Sequence, residues 1–278
     1  MNIGGRPNFK EGYEYSVRNG IGSFTASSLN ELPGVEHGFS ARSGGVSSAP
    51  YDSLNLGWGR DEPRENIKEN YKRFCKAFGI EYESMVLVNY EHGTNVVSVT
   101  LSDRERGFGK PPLEHCDAII TNQRNITLIT SHADCMPVYL YDPNRNAIGL
   151  AHAGWKGTLG RIGQKMAEKM VNEFGCDTND MFAVIGPCIC VDCFEVDDAL
   201  GIRFAEEFPS VELCYRTVPG KMQLDLELAA AAQLMDAGIP AERITLMHAC
   251  TFELKDKLFS HRRDNGRTGA MAAFIKLN

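Results

Sequence analysis

The stretch ITLITSHADCMPVYLYDPNRNAIGLAHAGWKG, Ile126 to Gly157, decides how the rest of the chain is read. Two apolar runs, Ile126 to Thr130 and Pro137 to Tyr141, flank Ala133-Asp134-Cys135, and a third, Ala147 to Ala151, delivers His152 into a turn containing Gly154 and Gly157. Short apolar runs bounded by turn residues read as buried strands. Cys135 and His152 are therefore expected at adjacent strand ends. Such a pair offers two chemistries: a thiolate nucleophile with its base, or two of the donors that zinc prefers. His92, in Tyr90-Glu91-His92-Gly93, could supply a third ligand.

The chain has 278 residues, of which 43% are hydrophobic and 23% charged, enough for one large core. A single domain over residues 1–278 is expected. A net charge of -7, with Lys and Arg scattered, leaves no basic footprint for a nucleic-acid backbone. The polar, Gly-rich start MNIGGRPNFKEGYEYSVRNG does not resemble a signal peptide, and no apolar run approaches the roughly 20 residues that span a bilayer. A cytoplasmic protein without a membrane partner is expected, and its nine cysteines read as buried, metal-bound or catalytic rather than disulfide-bonded.

From the N-terminus, Asn19-Gly20 predicts a hairpin within residues 13–30. His37 to Ser47 leaves a strand for a Gly/Ser loop in which Arg42 and the backbone of Ser43-Gly44-Gly45 could cradle an anion. The spacing of Ile67, Tyr71, Phe74, Cys75 and Phe78 predicts a core-facing helix, with Asp61 as its N-cap and Gly79 as its stop. Strands at Met85 to Asn89 and Val96 to Thr100 enclose a tight turn with His92. A charged loop from Ser102 to Cys116 leads to a strand ending at Thr121. Beyond the central stretch, Leu159, Ile162, Met166, Met170 and Phe174 form a helical stripe. A strand from Met181 to Ile185 opens into Cys188-Ile189-Cys190-Val191-Asp192-Cys193, whose spacing lacks the second cluster that structural zinc sites pair with. No separate metal is expected there. A helix from Asp225 to Met235, a strand from Arg243 to Met247, a polar strand end at Ser260-His261-Arg262-Arg263-Asp264 and a last strand from Ala270 to Ile275 complete an α/β pattern.

HGFSARSGGVS, SLNLG, EHGTNVV, DAIIT, HADCMPV, AHAGWKG, IGPCI, FEV, LDL and FSHRR follow one another in an order that resembles the YfiH/laccase-domain family along nearly the whole chain. The resemblance implies a four-layer α/β/β/α sandwich. It also implies a zinc-dependent purine nucleoside phosphorylase acting on adenosine, inosine, guanosine and methylthioadenosine with phosphate, with accompanying adenosine deaminase activity. Members were formerly called multicopper polyphenol oxidases, and some are called peptidoglycan editing factors. The family's zinc ligands fall on His92, Cys135 and His152, while its usual Gln-Val before the first ligand is Tyr90-Glu91 here. Arg42 with Ser43 is the candidate phosphate holder, Asp134 either an acid/base or a carboxylate that fixes a ligand, and His261 and Arg262 further candidates for the same pocket. A copper oxidase needs His-x-His pairs, which the seven histidines do not form. A cysteine hydrolase or amidase of cell-wall precursors, with Cys135 as nucleophile and His152 as base, uses the same two residues and differs in not needing His92.

Overall fold

A computed structural model describes residues 7–278. Among these residues, two seven-stranded sheets face each other and a three-stranded sheet lies beside them. The first large sheet runs in the order Lys10–Glu11, Ile244–Leu246, Phe182–Ile185, Met136–Asp142, Ala147–Ala153, Ala118–Thr121 and Val96–Ser98. The second runs Glu14–Arg18, Ile21–Thr25, Val35–Ser40, Met271–Leu277, Thr127–His132, Met85–Asn89 and Leu113–Glu114.

Side-chain alternation along the central strands builds the layers. Val138 and Leu140 of Met136–Asp142 point toward helices Ile162–Phe174 and Leu226–Asp236, forming a core with Met166, Met170, Ala230 and Leu234. Tyr139 and Tyr141 point the opposite way, into a core shared with Phe39, Leu128, Met271 and Ile275 of the second sheet. Tyr139 donates its buried hydroxyl to the Gly38 carbonyl at 3.0 Å, tying sheet to sheet. The outer face of the second sheet places Ile129 and Phe274 against Ile67, Tyr71, Phe74 and Phe78 of helix Arg64–Phe78. The order helix, sheet, sheet, helix is the four-layer sandwich expected.

Local signals explain most boundaries. Asn19 and Gly20 both have positive φ, 51° and 81°, and turn the Glu14–Arg18/Ile21–Thr25 hairpin. Helix Arg64–Phe78 stops at Gly79, left-handed at φ 59°, but Pro63 rather than Asp61 stands at its N-cap. The stripe through Leu159 is interrupted, because Arg161 adopts a left-handed conformation between helices Trp155–Leu159 and Ile162–Phe174. Ser260 to Asp264 forms turns rather than a strand end. Sequence reasoning did not anticipate helix Asp198–Glu207 or the third sheet, Glu195–Asp197, Lys221–Leu224 and Cys214–Val218. No helix among the described residues is long and apolar enough to cross a membrane.

Of the chain segments that pass between the large sheets, two carry His92 and Cys135. Residues 90–95 connect Met85–Asn89 to Val96–Ser98, and residues 133–135 connect Thr127–His132 to Met136–Asp142. Phe274 is 1% exposed and its ring lies 5.6 Å from Phe74 and 5.3 Å from Phe78. Phe274→Ala is therefore expected to cost about 3–5 kcal/mol in urea unfolding. Val17→Ala, on a strand position 61% exposed, should stay within about 0.5 kcal/mol.

Candidate metal centre and substrate cavity

The hairpin register sets Pro137 opposite His152 and Met136 opposite Ala153, so Cys135, one residue before its strand, arrives beside His152. The other crossing brings in His92, held in the left-handed region at φ 59°. Asp117 ties these pieces together. Its carbonyl accepts the His152 N–H at 2.7 Å, its own N–H reaches Asn95 O at 3.0 Å, and its carboxylate faces the backbone N–H groups of Glu91, His92 and Gly93. Burial raises the Asp117 pKa and those N–H groups oppose the rise.

One donor atom from each of His92, Cys135 and His152 lies within 4.8 Å of the other two. Three features of the chain fit this set to a metal ion. The His152 Nδ1 is buried without a hydrogen-bond partner, a state that otherwise costs about 1–3 kcal/mol. A Cβ at Gly154 would fall 3.0 Å from Cys135 Sγ and 3.0 Å from His92 Cδ2, so a glycine is what lets the donors converge. The donors are also kept in the right or a convertible state. Burial, then the neighbouring His132 and His92, hold the His152 pKa well below its ordinary value, leaving a neutral imidazole. Burial and the Asp134 charge push the Cys135 thiol up to about 12, so the thiolate needs a cation beside it.

His132, which spacing did not single out, positions Cys135. Its Nδ1 lies 3.0 Å from the Cys135 carbonyl and its Nε2 2.7 Å from the Thr130 hydroxyl. A carbonyl only accepts, so Nδ1 carries the proton and Thr130 donates to Nε2. Tyr90 stacks on His152 with ring centroids 3.8 Å apart and planes 15° from parallel. Of the departing Tyr90-Glu91 pair, the tyrosine thus forms site wall, whereas Glu91 turns outward to His115 at 2.5 Å.

The three donors border a cavity of about 700 Å³, lined also by Trp58, Arg60, Tyr90, Trp155, Ile189, Phe194, Asp134, His261 and Arg262. This volume is in the range of small-molecule sites. His261 and Arg262 are among its lining residues. Arg262 is preset there, with Nη1 donating to Glu195 O at 3.0 Å and the guanidinium 5.1 Å above the Phe194 ring. Asp134, left-handed at φ 84°, has both oxygens engaged: Oδ1 accepts from the Thr251 hydroxyl at 2.6 Å and Oδ2 from the Arg262 N–H at 2.6 Å.

Arg42 and Ser43 do not reach this cavity. They line a separate depression of about 330 Å³ with Asp52, Ser53, Lys255 and Asp256. The Arg42 guanidinium is already spent on Asp52 O at 3.0 and 2.9 Å and on Lys255 O at 3.1 Å, and it lies 4.5 Å over Phe259. The Gly/Ser loop is shaped by that arginine rather than open for an anion. Arg60, in the 57–60 turn and unremarked in the sequence, is the second guanidinium of the main cavity.

Residues 36–278 match the family described as multi-copper polyphenol oxidoreductase laccase. The chain belongs to this family. It is 36% identical to a purine nucleoside phosphorylase YlmD of Bacillus subtilis over 241 residues, which is 86% of this chain and 87% of that one. Its fold superimposes on the crystal structure of YlmD from Geobacillus stearothermophilus with a TM-score of 0.90 at 32% identity, covering 96% of this chain and 98% of that one. Against the Bacillus licheniformis protein YfiH the TM-score is 0.85 at 32% identity, over 92% and 96% of the two chains.

Because Gly154 leaves no room for a Cβ beside two donors, Gly154→Ala should weaken metal binding by about 10–100-fold, the range seen when groups supporting ligands are altered. The measurement is a competition titration with a chromogenic chelator, with circular dichroism confirming an intact fold. Unchanged affinity would remove the packing argument for this site.

Proposed function

We propose that this protein is a zinc-dependent purine nucleoside phosphorylase with accompanying adenosine deaminase activity, acting on adenosine, inosine and guanosine, with methylthioadenosine in the same class. The observation that carries the reading is the convergence of His92, Cys135 and His152 within 4.8 Å, bordering a cavity that also contains Arg60, Arg262 and His261. His92, Cys135 and His152 would hold a zinc ion, since two imidazoles and one thiolate are the donor types of catalytic zinc sites. An ion held there would supply Lewis-acid chemistry. The names of the relatives supply the reaction class, and the cavity's groups supply its parts.

In phosphorolysis a phosphate oxygen bonds to the ribose C1′, the C1′–N9 bond breaks, its electron pair stays with the purine, and the purine takes up a proton. Arg262 and Arg60 present guanidinium forks to the phosphate. Arg262 is oriented in advance by Glu195 O, Phe194 and the Asp134 carboxylate. His261, outside the ligand set, is the imidazole placed to give the departing base its proton. The rings of Tyr90, Trp58 and Phe194 offer flat walls to a purine. Asp134 is a positioning residue, since both its oxygens already accept hydrogen bonds.

A cysteine hydrolase would need a thiolate at rest, with a thiol pKa drawn below its ordinary value. Burial and Asp134 push Cys135 the other way, to about 12, and burial leaves His152 a poor partner for a charged pair.

Chromatography of reaction products tests the reading. Inosine should yield hypoxanthine and ribose 1-phosphate only with phosphate present, and adenosine should give some inosine with or without it. Arg262→Ala should raise the KM for phosphate about tenfold or more, equivalent to losing a charged hydrogen bond of ~1.5–3 kcal/mol, while sparing deamination. Arg42→Ala should leave that KM unchanged and lower Tm instead. Cys135→Ala should lose both reactions together with this site's zinc. Release of no base from any purine nucleoside under either condition would defeat the proposal.

A further inference from the structure

Beside the cavity, the turns that follow strands Phe182–Ile185 and Ile244–Leu246 run together. The two strands pair in parallel, and beyond them the Cys188 N–H reaches Ala249 O at 3.2 Å while the Thr251 N–H reaches Cys188 O at 2.9 Å. Each turn carries two metal-ligand side chains at the same spacing: Cys190-x-x-Cys193 in the first and Cys250-x-x-Glu253 in the second. The four donor atoms lie within 4.8 Å of one another. Sequence spacing missed this because the second pair lies far along the chain, and because Cys188, which completes the C-x-C-x-x-C string, is buried in the helix-side core instead.

The arrangement is that of two facing knuckles. Zinc–sulfur bonds of about 2.3 Å put the ligand atoms of a tetrahedron roughly 3.8 Å apart. Cys193 Sγ already lies 3.8 Å from Glu253 Oε1, so little movement is required. Independently of that spacing, backbone donors face the innermost sulfur. The Cys190 N–H points at Cys250 Sγ at 3.4 Å, and the N–H groups of Phe252 and Glu253 are directed at the same atom. Amides aimed at a sulfur favour its thiolate and accompany thiolate ligands at metal sites. The Arg263 guanidinium, paired with Asp264 at 2.9 Å, caps the second turn through Thr251 O at 2.8 Å and Phe252 O at 3.1 Å.

We propose that Cys190, Cys193, Cys250 and Glu253 form a second zinc site, closed and structural, with three thiolates and one carboxylate. It pins the two turns that form one wall of the substrate cavity. Ile189 and Phe194, on either side of the first knuckle, line that cavity, and Thr251 in the second holds Asp134. Four protein ligands leave no position for substrate, so this ion has no part in the reaction. The inference is independent of the activity proposed above.

Metal analysis of the full chain, purified under reducing conditions, is the test. The expected result is two zinc ions per chain. Cys190→Ser with Cys193→Ser should lose one, and His92→Ala with Cys135→Ala should lose the other. Zinc K-edge absorption on the unmodified protein needs no variant to fold: three sulfurs at one site and one at the other average to two per zinc. One zinc per chain with one sulfur neighbour would overturn the inference, as would a zinc content untouched by the Cys190/Cys193 substitutions, or a Cys190–Cys250 disulfide in the freshly purified chain. One zinc per chain with three sulfur neighbours would uphold it and count against the His92 site instead.

Discussion

The position of Cys135 depends on a short bridge between two packed sheets. Sheets stacked face to face lie about 10 Å apart, and the four steps from His132 to Met136 can reach roughly 14 Å when fully extended. The bridge Ala133-Asp134-Cys135 therefore has little slack, and Cys135 is delivered to nearly the same point whenever the sheets pack. The left-handed φ of 84° at Asp134 belongs to that tight crossing, and the hydrogen bond between His132 and the Cys135 carbonyl fixes its far end. The longer crossing, residues 90–95, is tightened differently, by folding its backbone N–H groups around the Asp117 carboxylate. Sheet packing thus assembles the donor set, and the ligands need not hold the sheets together.

That dependence explains what could be read from the sequence. Strands covered on both faces appear as continuous apolar runs, and Met136–Asp142 and Ala147–Ala153 are buried at every position. Their ends, and hence Cys135 and His152, were legible because polar side chains and glycines interrupt the runs there. His132 was not legible, since it ends a strand like many polar residues and acts only through a carbonyl three residues on. Asp117 was hidden similarly: its contacts join segments that only the fold brings together. Arg42 failed for a different reason. Loop composition reveals a guanidinium with five N–H donors, but not that the cis-containing 49–53 segment and Lys255 already occupy them. Cys250 and Glu253 carry no local signal at all, because parallel pairing of two distant strands makes them neighbours of Cys190 and Cys193.

Asp134 is where the bridge meets the cavity wall. Its backbone carbonyl accepts the Ile189 N–H at 3.1 Å, its Oδ1 the Thr251 hydroxyl and its Oδ2 the Arg262 N–H. Three separate segments, 188–193, 250–253 and 261–263, are thereby fastened to the residue next to the sulfur ligand. A carboxylate suits this junction, because it offers one acceptor to each of the two donors. A proton on Oδ1 would only reverse the bond to the Thr251 hydroxyl, whereas Oδ2, facing the Arg262 N–H, has to remain an acceptor.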